Sequence, residues 1–151
     1  MKKVYIAFLM FVGTGAASCT FYTKIVHIEE AKNATDKTII MGGSRFYKIY
    51  VKIYKRDAQY IVERQIYPHF KIYDCSNEQK VFPADLYLDS SRMDDFEHSE
   101  AYIESRGSQN YLTISAYAPV EFIDNIKNEC AQLVGGSYLG YRIKSKKIEV
   151  E

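Results

Sequence analysis

The feature that most constrains the fold of this chain is a strict alternation of residue type between positions 45 and 55. One set of alternate residues is mainly apolar and consists of Tyr47, Ile49, Val51 and Ile53. The other set is aromatic and basic and consists of Phe46, Lys48, Tyr50, Lys52 and Tyr54. A period of two places these sets on opposite faces of a β-strand. The apolar set is therefore predicted to face a core.

Aromatic content and turn residues extend this prediction to most of the chain. The 14 tyrosines and the absence of tryptophan suit half-buried pleated surfaces, where a ring packs while its hydroxyl stays hydrated. Turn signals, the first at Arg56-Asp57, predict three hairpins. Their strands are residues 45–55 with 59–67, 70–75 with 81–88, and 101–105 with 111–118. The inward residues of the later strands are predicted to be Phe82, Ala84, Leu86, Leu88, Leu112, Ile114, Ala116 and Ala118.

The ends of the predicted domain carry weaker strand signals. Residues 21–28 and 38–41 are two candidate strands, separated by a polar stretch over 29–37. A last hairpin or strand is expected within residues 138–150, after a glycine-rich segment that we interpret as a helix stop and a tight entry into a strand.

After Pro119 the pattern changes to a helical period. Proline suits the first position of a helix, and apolar residues then follow at helical spacing up to Gly135. These residues are Phe122, Ile123, Ile126, Cys130 and Leu133. We therefore predict an α+β, β-rich fold: an antiparallel sheet or sandwich of about six to eight strands built from hairpins, with one amphipathic helix near the C-terminus.

The first 18 residues are predicted to be a signal peptide. Lys2 and Lys3 precede an apolar run over 4–12, and small residues lead to Cys19. A basic start, a short apolar run and a small-residue site are typical of secretory export, and the run is shorter than the ~20 residues of a membrane span. We expect cleavage before Cys19, an N-terminal tether with a first weak strand over 19–36, and a single β-rich domain over 37–151.

The sequence Ala16-Ala17-Ser18-Cys19 resembles a bacterial lipobox, although Ala16 stands where leucine is usual. The resemblance implies that Cys19 is lipidated and becomes the mature N-terminus. It also implies a cell-envelope protein, attached to the outer membrane and facing the periplasm. The alternative is ordinary cleavage after Ala17 or Ser18, which would release a soluble protein.

The cysteine count agrees with lipidation. The chain has 3 cysteines, and an odd number in an oxidising compartment leaves one thiol to explain. If Cys19 carries lipid, Cys75 and Cys130 remain to form a disulfide, which would stabilise the domain by about 4 kcal/mol in the chain-entropy model. The alternative is that both are buried free thiols.

Charge and motifs exclude several function classes. The formal charge of +1 includes Lys2 and Lys3, so the mature chain stands at 1 − 2 = −1, without the basic footprint of a nucleic-acid binder. The chain has no nucleophile elbow, zinc-protease helix, Cys-x-x-Cys or phosphate-binding glycine loop. Its histidines are single residues. We predict no catalytic residues, no cofactor and no metal site, and hence no enzyme.

Two segments are candidates for binding a partner. The first is the aromatic and basic side of the strand over 45–55, from which we select Tyr50, Lys52 and Tyr54. The alternative is that this side packs under another layer while its lysines extend to solvent. The second candidate is an acidic segment that contains Asp94, Asp95, Glu97 and His98. Its alternative is a solvated loop or a short helical turn, since the spacing matches no calcium loop.

These observations favour a non-enzymatic envelope lipoprotein whose β-rich domain binds another envelope or secreted protein. Periplasmic immunity proteins, enzyme inhibitors and assembly accessories are functional analogues. A glycan-binding or small-ligand-binding domain that uses the tyrosines is the first alternative. The second is a small hydrolase with an unrecognised site, in which Asp95, His98 or His69 would be required.

Overall fold

The computed structural model describes residues 22–151, except for the side chains of residues 35–37. The predicted signal peptide and Cys19 lie outside the described residues. The strands are β1 (Thr23–Val26), β2 (Ile28–Met41), β3 (Ser44–Tyr54), β4 (Tyr67–Asp74), β5 (Asn77–Leu88), β6 (Ser91–Arg92), β7 (Tyr111–Pro119), β8 (Glu129–Gly136), β9 (Arg142–Ser145) and β10 (Ile148–Glu149). The helices are α1 (Lys55–Glu63), α2 (Phe96–Ser105) and α3 (Val120–Ile123). The prediction of a β-rich fold is confirmed.

The strands form one nearly closed sheet in the order β1-β9-β8-β4-β5-β7-β3-β2, with β10 beside β8 and β6 beside β5. β1 and β9 are parallel, and the other described pairs are antiparallel. The two sides of the sheet meet at Glu151. Its amide donates to the Ala31 carbonyl at 3.0 Å, and its carbonyl accepts from the Asn33 amide at 2.6 Å.

The strand register gives the sheet two ends, which we call the helix end and the hairpin end. β3 ends and β7 begins at the helix end, where Tyr54 pairs with Tyr111. β8 ends and β4 begins there too, where Gly136 pairs with Tyr67. Helices α1 and α2 follow β3 and precede β7 at this end and pack against each other. The β2–β3 hairpin turns at the opposite end of the strands, between Met41 and Ser44.

The alternation over residues 45–55 has the predicted outcome at three of its four apolar positions, whereas Tyr47 is only half-buried and its hydroxyl donates to Asp124 Oδ1 at 3.3 Å. Ile49, Val51 and Ile53 are buried in the core, on the opposite side of β3 from the aromatic and basic residues. The predicted hairpin of β4 with β5 is present, and Leu112, Ile114, Ala116 and Ala118 of β7 are buried as expected. So are Ala84, Leu86 and Leu88 of β5, while Phe82 packs against the core.

Two predicted strands are instead helices. The return strand over 59–67 and its turn at Arg56-Asp57 fall mainly in α1, because Ala58, Ile61 and Val62 at helical spacing bury one side of this segment. The predicted strand over 101–105 is the second half of α2, which buries Ser99 and Ile103 four residues apart.

The predicted C-terminal helix is wrong. Only Val120–Ile123 forms a helix, of a single turn, and Glu129–Gly136 is strand β8 between β4 and β9. Residues 130–133 are all buried, because β8 is covered on both faces. Burial on both faces removes the apolar–polar alternation by which a strand is identified. The predicted helix stop at Gly135 is therefore also wrong, since Gly135 and Gly136 belong to β8.

The predicted polar gap over 29–37 is also absent. β2 runs through it from Ile28 to Met41, with Ala31 buried against the core and a register shift between Ala34 and Thr38. At the other end of the chain, β9 and β10 both pair with β8.

The predicted disulfide between Cys75 and Cys130 is present in the structure, with an S–S distance of 2.04 Å. The sequence places Cys130 on a helix, but the residue lies on β8, opposite Tyr73 of β4. Cys75 lies in the turn that follows β4, so the bond links this turn to β8 rather than a strand to a helix.

Candidate functional site

A row of aromatic and basic side chains covers the outer side of β3, β7 and the end of β5. We call it the aromatic–basic face, and it consists of Lys48, Tyr50, Lys52, Tyr54, Tyr87, Tyr111 and Tyr117, all of them half-buried. Its members lie opposite one another in the sheet, since Tyr54 pairs with Tyr111 and Lys48 with Tyr117. The same alternation that buries Ile49 and Ile114 on the inner side brings these residues together on the outer side.

At the helix end of the face, two cationic side chains lie over two tyrosine rings. The rings of Tyr54 and Tyr111 have centroids 4.6 Å apart. Lys52 Nζ lies 4.8 Å from the Tyr111 ring, and the Arg56 guanidinium lies 5.0 Å from the Tyr54 ring. A hydrogen bond with Tyr54 is the main cause that raises the pKa of Tyr111 to about 12.

A second cluster continues the face toward β5. Tyr87 and Tyr117 meet edge to face with ring centroids 5.2 Å apart. Lys48 Nζ lies 5.0 Å from the Tyr50 ring and 5.9 Å from the Tyr117 ring. These distances are in the range of cation–π attraction.

The ring and cation contacts of the face are made mainly among its own members. The alternative that another layer packs over this side therefore does not describe the structure. Lys48 and Lys52 form no ion pair within residues 22–151. Glu30, the β2 residue in register with Lys52, is ion-paired with Lys32 instead. The face thus presents ordered rings and lysines without a direct ion pair, although Lys52 shares a pocket with Glu29, Glu30, Glu149 and Glu151.

A cleft of about 450 Å³ lies where the face meets the start of α1. It is lined by Tyr54, Lys55, Arg56, Gln59, Tyr111 and residues 107–110. Lys55 Nζ donates a hydrogen bond to the Gly107 carbonyl at 2.5 Å, which ties the wall of the cleft to the loop before β7. Two phenols, two cations and several amides are groups that recognise polar or anionic small molecules.

The acidic segment has mainly local structural contacts. Arg92 binds Asp94 with an Nη2–Oδ2 distance of 2.8 Å, and Asp95 caps α2 by accepting from the His98 amide at 3.3 Å. Glu97 is exposed in the first turn of the helix. Because Arg92 pairs with Tyr87 in the sheet, this segment adjoins the β5 side of the face. The structure does not bring it to Tyr50, Lys52 and Tyr54, because β5 and β7 lie between β6 and β3.

Three tyrosines of the face were not selected from the sequence: Tyr87, Tyr111 and Tyr117. The signal for Tyr111 and Tyr117 is present, since both alternate with inward residues of β7 that the pattern identifies correctly. The order of strands in the sheet, which places β7 beside β3, is not readable from this alternation.

The residues required by the hydrolase alternative are not assembled into one site. His69 lies on β4, where burial is the main cause that lowers its pKa, while Asp95 and His98 lie at the start of α2. No hydrogen bond or ion pair joins His69 to either residue in the described part of the chain. Over the same residues there is no group of three or more histidine, cysteine, aspartate or glutamate side chains that could hold a metal ion.

Comparison of the chain with protein-family models, with curated proteins and with solved structures found no match. No helix within residues 22–151 is long and apolar enough to cross a membrane.

Proposed function

We propose that this protein is an exported, lipid-anchored cell-envelope protein that binds another envelope or secreted protein and has no catalytic activity of its own. The observation that carries this proposal is the aromatic–basic face. Its rings and lysines are ordered by mutual contacts before any partner arrives, so binding would cost little side-chain entropy. Tyrosine is enriched in protein interfaces because its ring is apolar and its hydroxyl can bond to a partner.

The charge of the face favours a partner with an acidic surface. Lys48, Lys52 and Arg56 each lie over a tyrosine ring and form no ion pair among the described residues. Opposite charge on a partner speeds encounter and fixes orientation. Binding is therefore expected to weaken as salt concentration rises.

Export and anchoring are supported by the N-terminal sequence and by the pairing of the other two cysteines. A Cys75–Cys130 disulfide suits an oxidising compartment, and Cys19 is the remaining cysteine of the three in the sequence. Mass measurement of the protein isolated from its own membranes tests this part of the proposal. An unmodified Cys19 would contradict the lipid anchor.

The partner-binding role is tested by comparing two lysine reversals. The tagged protein captures its partner from envelope and secreted extracts, and the affinity of the purified pair is then measured for Lys52→Glu and Lys71→Glu. Lys71 is an exposed lysine on β4, away from the face. We expect Lys52→Glu to weaken binding by about tenfold or more, because it replaces attraction by repulsion at the face.

Lys71→Glu is expected to bind like the unmodified protein. Equal affinity of both variants for a stoichiometric partner would show that the partner binds elsewhere. An empty capture would contradict the choice of a protein partner.

A small-ligand role is a second candidate because of the cleft beside Tyr54 and Tyr111. The chain has no tryptophan, so tyrosine emission can be followed directly, and the Arg56→Ala variant relates a change among the 14 tyrosines to the cleft. Titration with anionic cell-wall fragments separates the two functions. A saturable change that is lost in Arg56→Ala would favour the ligand.

A further inference from the structure

A group of exposed apolar side chains lies at the helix end of the sheet, away from the aromatic–basic face. We call it the apolar tip, and its members are Tyr22 (63% exposed), Tyr67 (43%), Tyr138 (92%) and Leu139 (79%). Tyr138 and Leu139 occupy the turn between β8 and β9. Exposed apolar groups that cluster in this way mark an interaction surface more often than scattered ones do.

The exposed residues Tyr138 and Leu139 belong to a turn that is ordered by hydrogen bonds. The Ser137 amide donates to the Tyr141 carbonyl at 2.9 Å, and the Gly140 amide donates to the Ser137 carbonyl at 3.1 Å. The Tyr67 ring packs against the Tyr138 ring at 5.5 Å between centroids. The turn therefore holds Tyr138 and Leu139 outward instead of folding them onto the core.

The N-terminal side of the chain enters the domain beside this tip. The Arg142 amide, at the start of β9, donates to the Tyr22 carbonyl at 3.0 Å, and Thr23 pairs with Arg142 in the sheet. Cys19 is only three residues before Tyr22. Three residues span at most ~11 Å when extended. A lipid on Cys19 would thus hold Tyr22, and the tip next to it, close to the membrane surface.

From this placement we infer that the apolar tip docks onto the lipid surface that holds the anchor. Leu139 enters the boundary between headgroups and acyl chains, and the tyrosine rings lie at headgroup level, where tyrosine is favoured. Arg64, whose guanidinium lies 4.8 Å from the Tyr141 ring, can meet lipid phosphates at the edge of the tip. This inference rests on the lipid anchor of the proposed function. Docking would direct the helix end toward the membrane and the hairpin end away from it.

A single tryptophan tests this orientation, since the chain has none. Leu139→Trp places the reporter in the tip. Ile40→Trp is the matched control, because Ile40 is 76% exposed but lies beside the β2–β3 turn at the hairpin end. Both full-length variants are isolated from membranes and reconstituted in vesicles of phosphatidylethanolamine and phosphatidylglycerol that contain brominated lipid.

We expect the emission of Leu139→Trp to shift to shorter wavelength and to lose roughly half its intensity to the brominated lipid, since interfacial residues enter ~5–10 Å into the bilayer. Ile40→Trp should stay unquenched. An unquenched reporter at position 139 in vesicle-bound protein would overturn the inference, and so would equal quenching at both positions. Protection of position 139 only after a protein partner is added would assign the tip to that partner. Tyr138→Trp serves as a second reporter if Leu139→Trp is poorly folded.

Lipidation of Cys19 and docking of the apolar tip are separate hypotheses, and each can be contradicted without the other. If mass measurement finds Cys19 unmodified, the anchor in the proposed function is wrong. The Cys19 thiol is then coupled to a maleimide-bearing lipid in the same vesicles, because the other two cysteines are held in the disulfide. Quenching of Leu139→Trp in this coupled form would support docking without the natural lipid, and its absence would overturn docking as well.

Discussion

At the scale of single residues, Gly135 shows how closely β4 and β8 approach. A Cβ atom at this position would lie 2.8 Å from both Ile66 Cγ2 and the Tyr67 carbonyl oxygen, and 3.1 Å from Pro68 Cα. Two of these neighbours are backbone atoms, which cannot move without displacing β4. A side chain at position 135 would therefore clash with the backbone of β4, and glycine is required there.

Substitution of this glycine tests the close approach. We expect Gly135→Ala to lower the free energy of unfolding by roughly 1–3 kcal/mol, the usual cost of overpacking. Gly136→Ala is the matched control, since its Cβ would lie 3.8 Å from the nearest atom, the Tyr141 carbonyl oxygen. Urea denaturation of both variants provides the comparison. Equal stability of the two variants would mean that the strands separate easily.

At the scale of elements, a buried carboxylate joins β1 to α1. Asp57 is 1% exposed, and its Oδ1 lies 3.0 Å from Lys24 Nζ. The His27 amide donates to its Oδ2 at 2.9 Å. These contacts connect β1, which lies within the predicted tether segment 19–36, to the helix that follows β3.

Removal of this carboxylate is expected to loosen the N-terminal strand. Asp57→Ala leaves Lys24 without a counter-ion and the His27 amide without an acceptor, so we expect a loss of about 3 kcal/mol in the free energy of unfolding. Glu63→Ala, at an exposed position of the same helix, should change it by less than ~0.5 kcal/mol. Hydrogen exchange would further locate the loss, with faster exchange in β1. Unchanged exchange there would contradict the connection.

Strands were readable from the sequence where one face is exposed. β3 and β7 alternate because Ile49 and Ile114 are buried while Tyr50 and Tyr117 meet solvent. β8 was misread because both of its faces are buried and its apolar residues also fit a helical period. The Gly42-Gly43 pair is a local sequence signal for the β2–β3 turn, since both residues adopt positive φ as type I′ hairpins require.

The candidate site is only partly predictable from the sequence, because alternation gives the facing of residues and not the order of strands. Alternation identifies which residues of a strand face outward, so Tyr50, Lys52 and Tyr54 were found. It does not determine which strands are neighbours, because pairing between distant segments depends on the packing of the whole sheet. Alternation therefore does not indicate that Tyr111 contacts Tyr54, or that β5 and β7 separate the acidic segment from β3.

At the scale of the whole molecule, the sheet is nearly closed by contacts between β2 and the C-terminal strands. Besides the main-chain hydrogen bonds of Glu151, Asn33 Nδ2 of β2 donates to Glu129 Oε2 of β8 at 3.2 Å. Burial of the Glu129 carboxyl raises its pKa from 4.5 to about 7. Asn33 Oδ1 and Glu129 Oε1 are both buried acceptors without a hydrogen bond in the described residues. A proton on the Glu129 carboxyl supplies a hydrogen-bond donor, whereas these two oxygen atoms can otherwise only accept.

The closure of the sheet is therefore expected to be more stable in mild acid. Because folding raises the pKa of Glu129, its contribution to the free energy of unfolding is fully present below about pH 4.5 and is lost as the pH rises toward 7. Glu129→Gln keeps the shape and is always neutral, so it should remove this pH dependence and stabilise the protein by roughly 1–3 kcal/mol at pH 8 relative to the unmodified chain. Urea denaturation at pH 5 and pH 8 measures the free energy of unfolding of both proteins. The difference between the two proteins at each pH cancels the contribution of the other carboxylates, which they share. A difference that does not change with pH would mean that Glu129 is charged and hydrated in the folded protein, and that the sheet closes through main-chain hydrogen bonds alone.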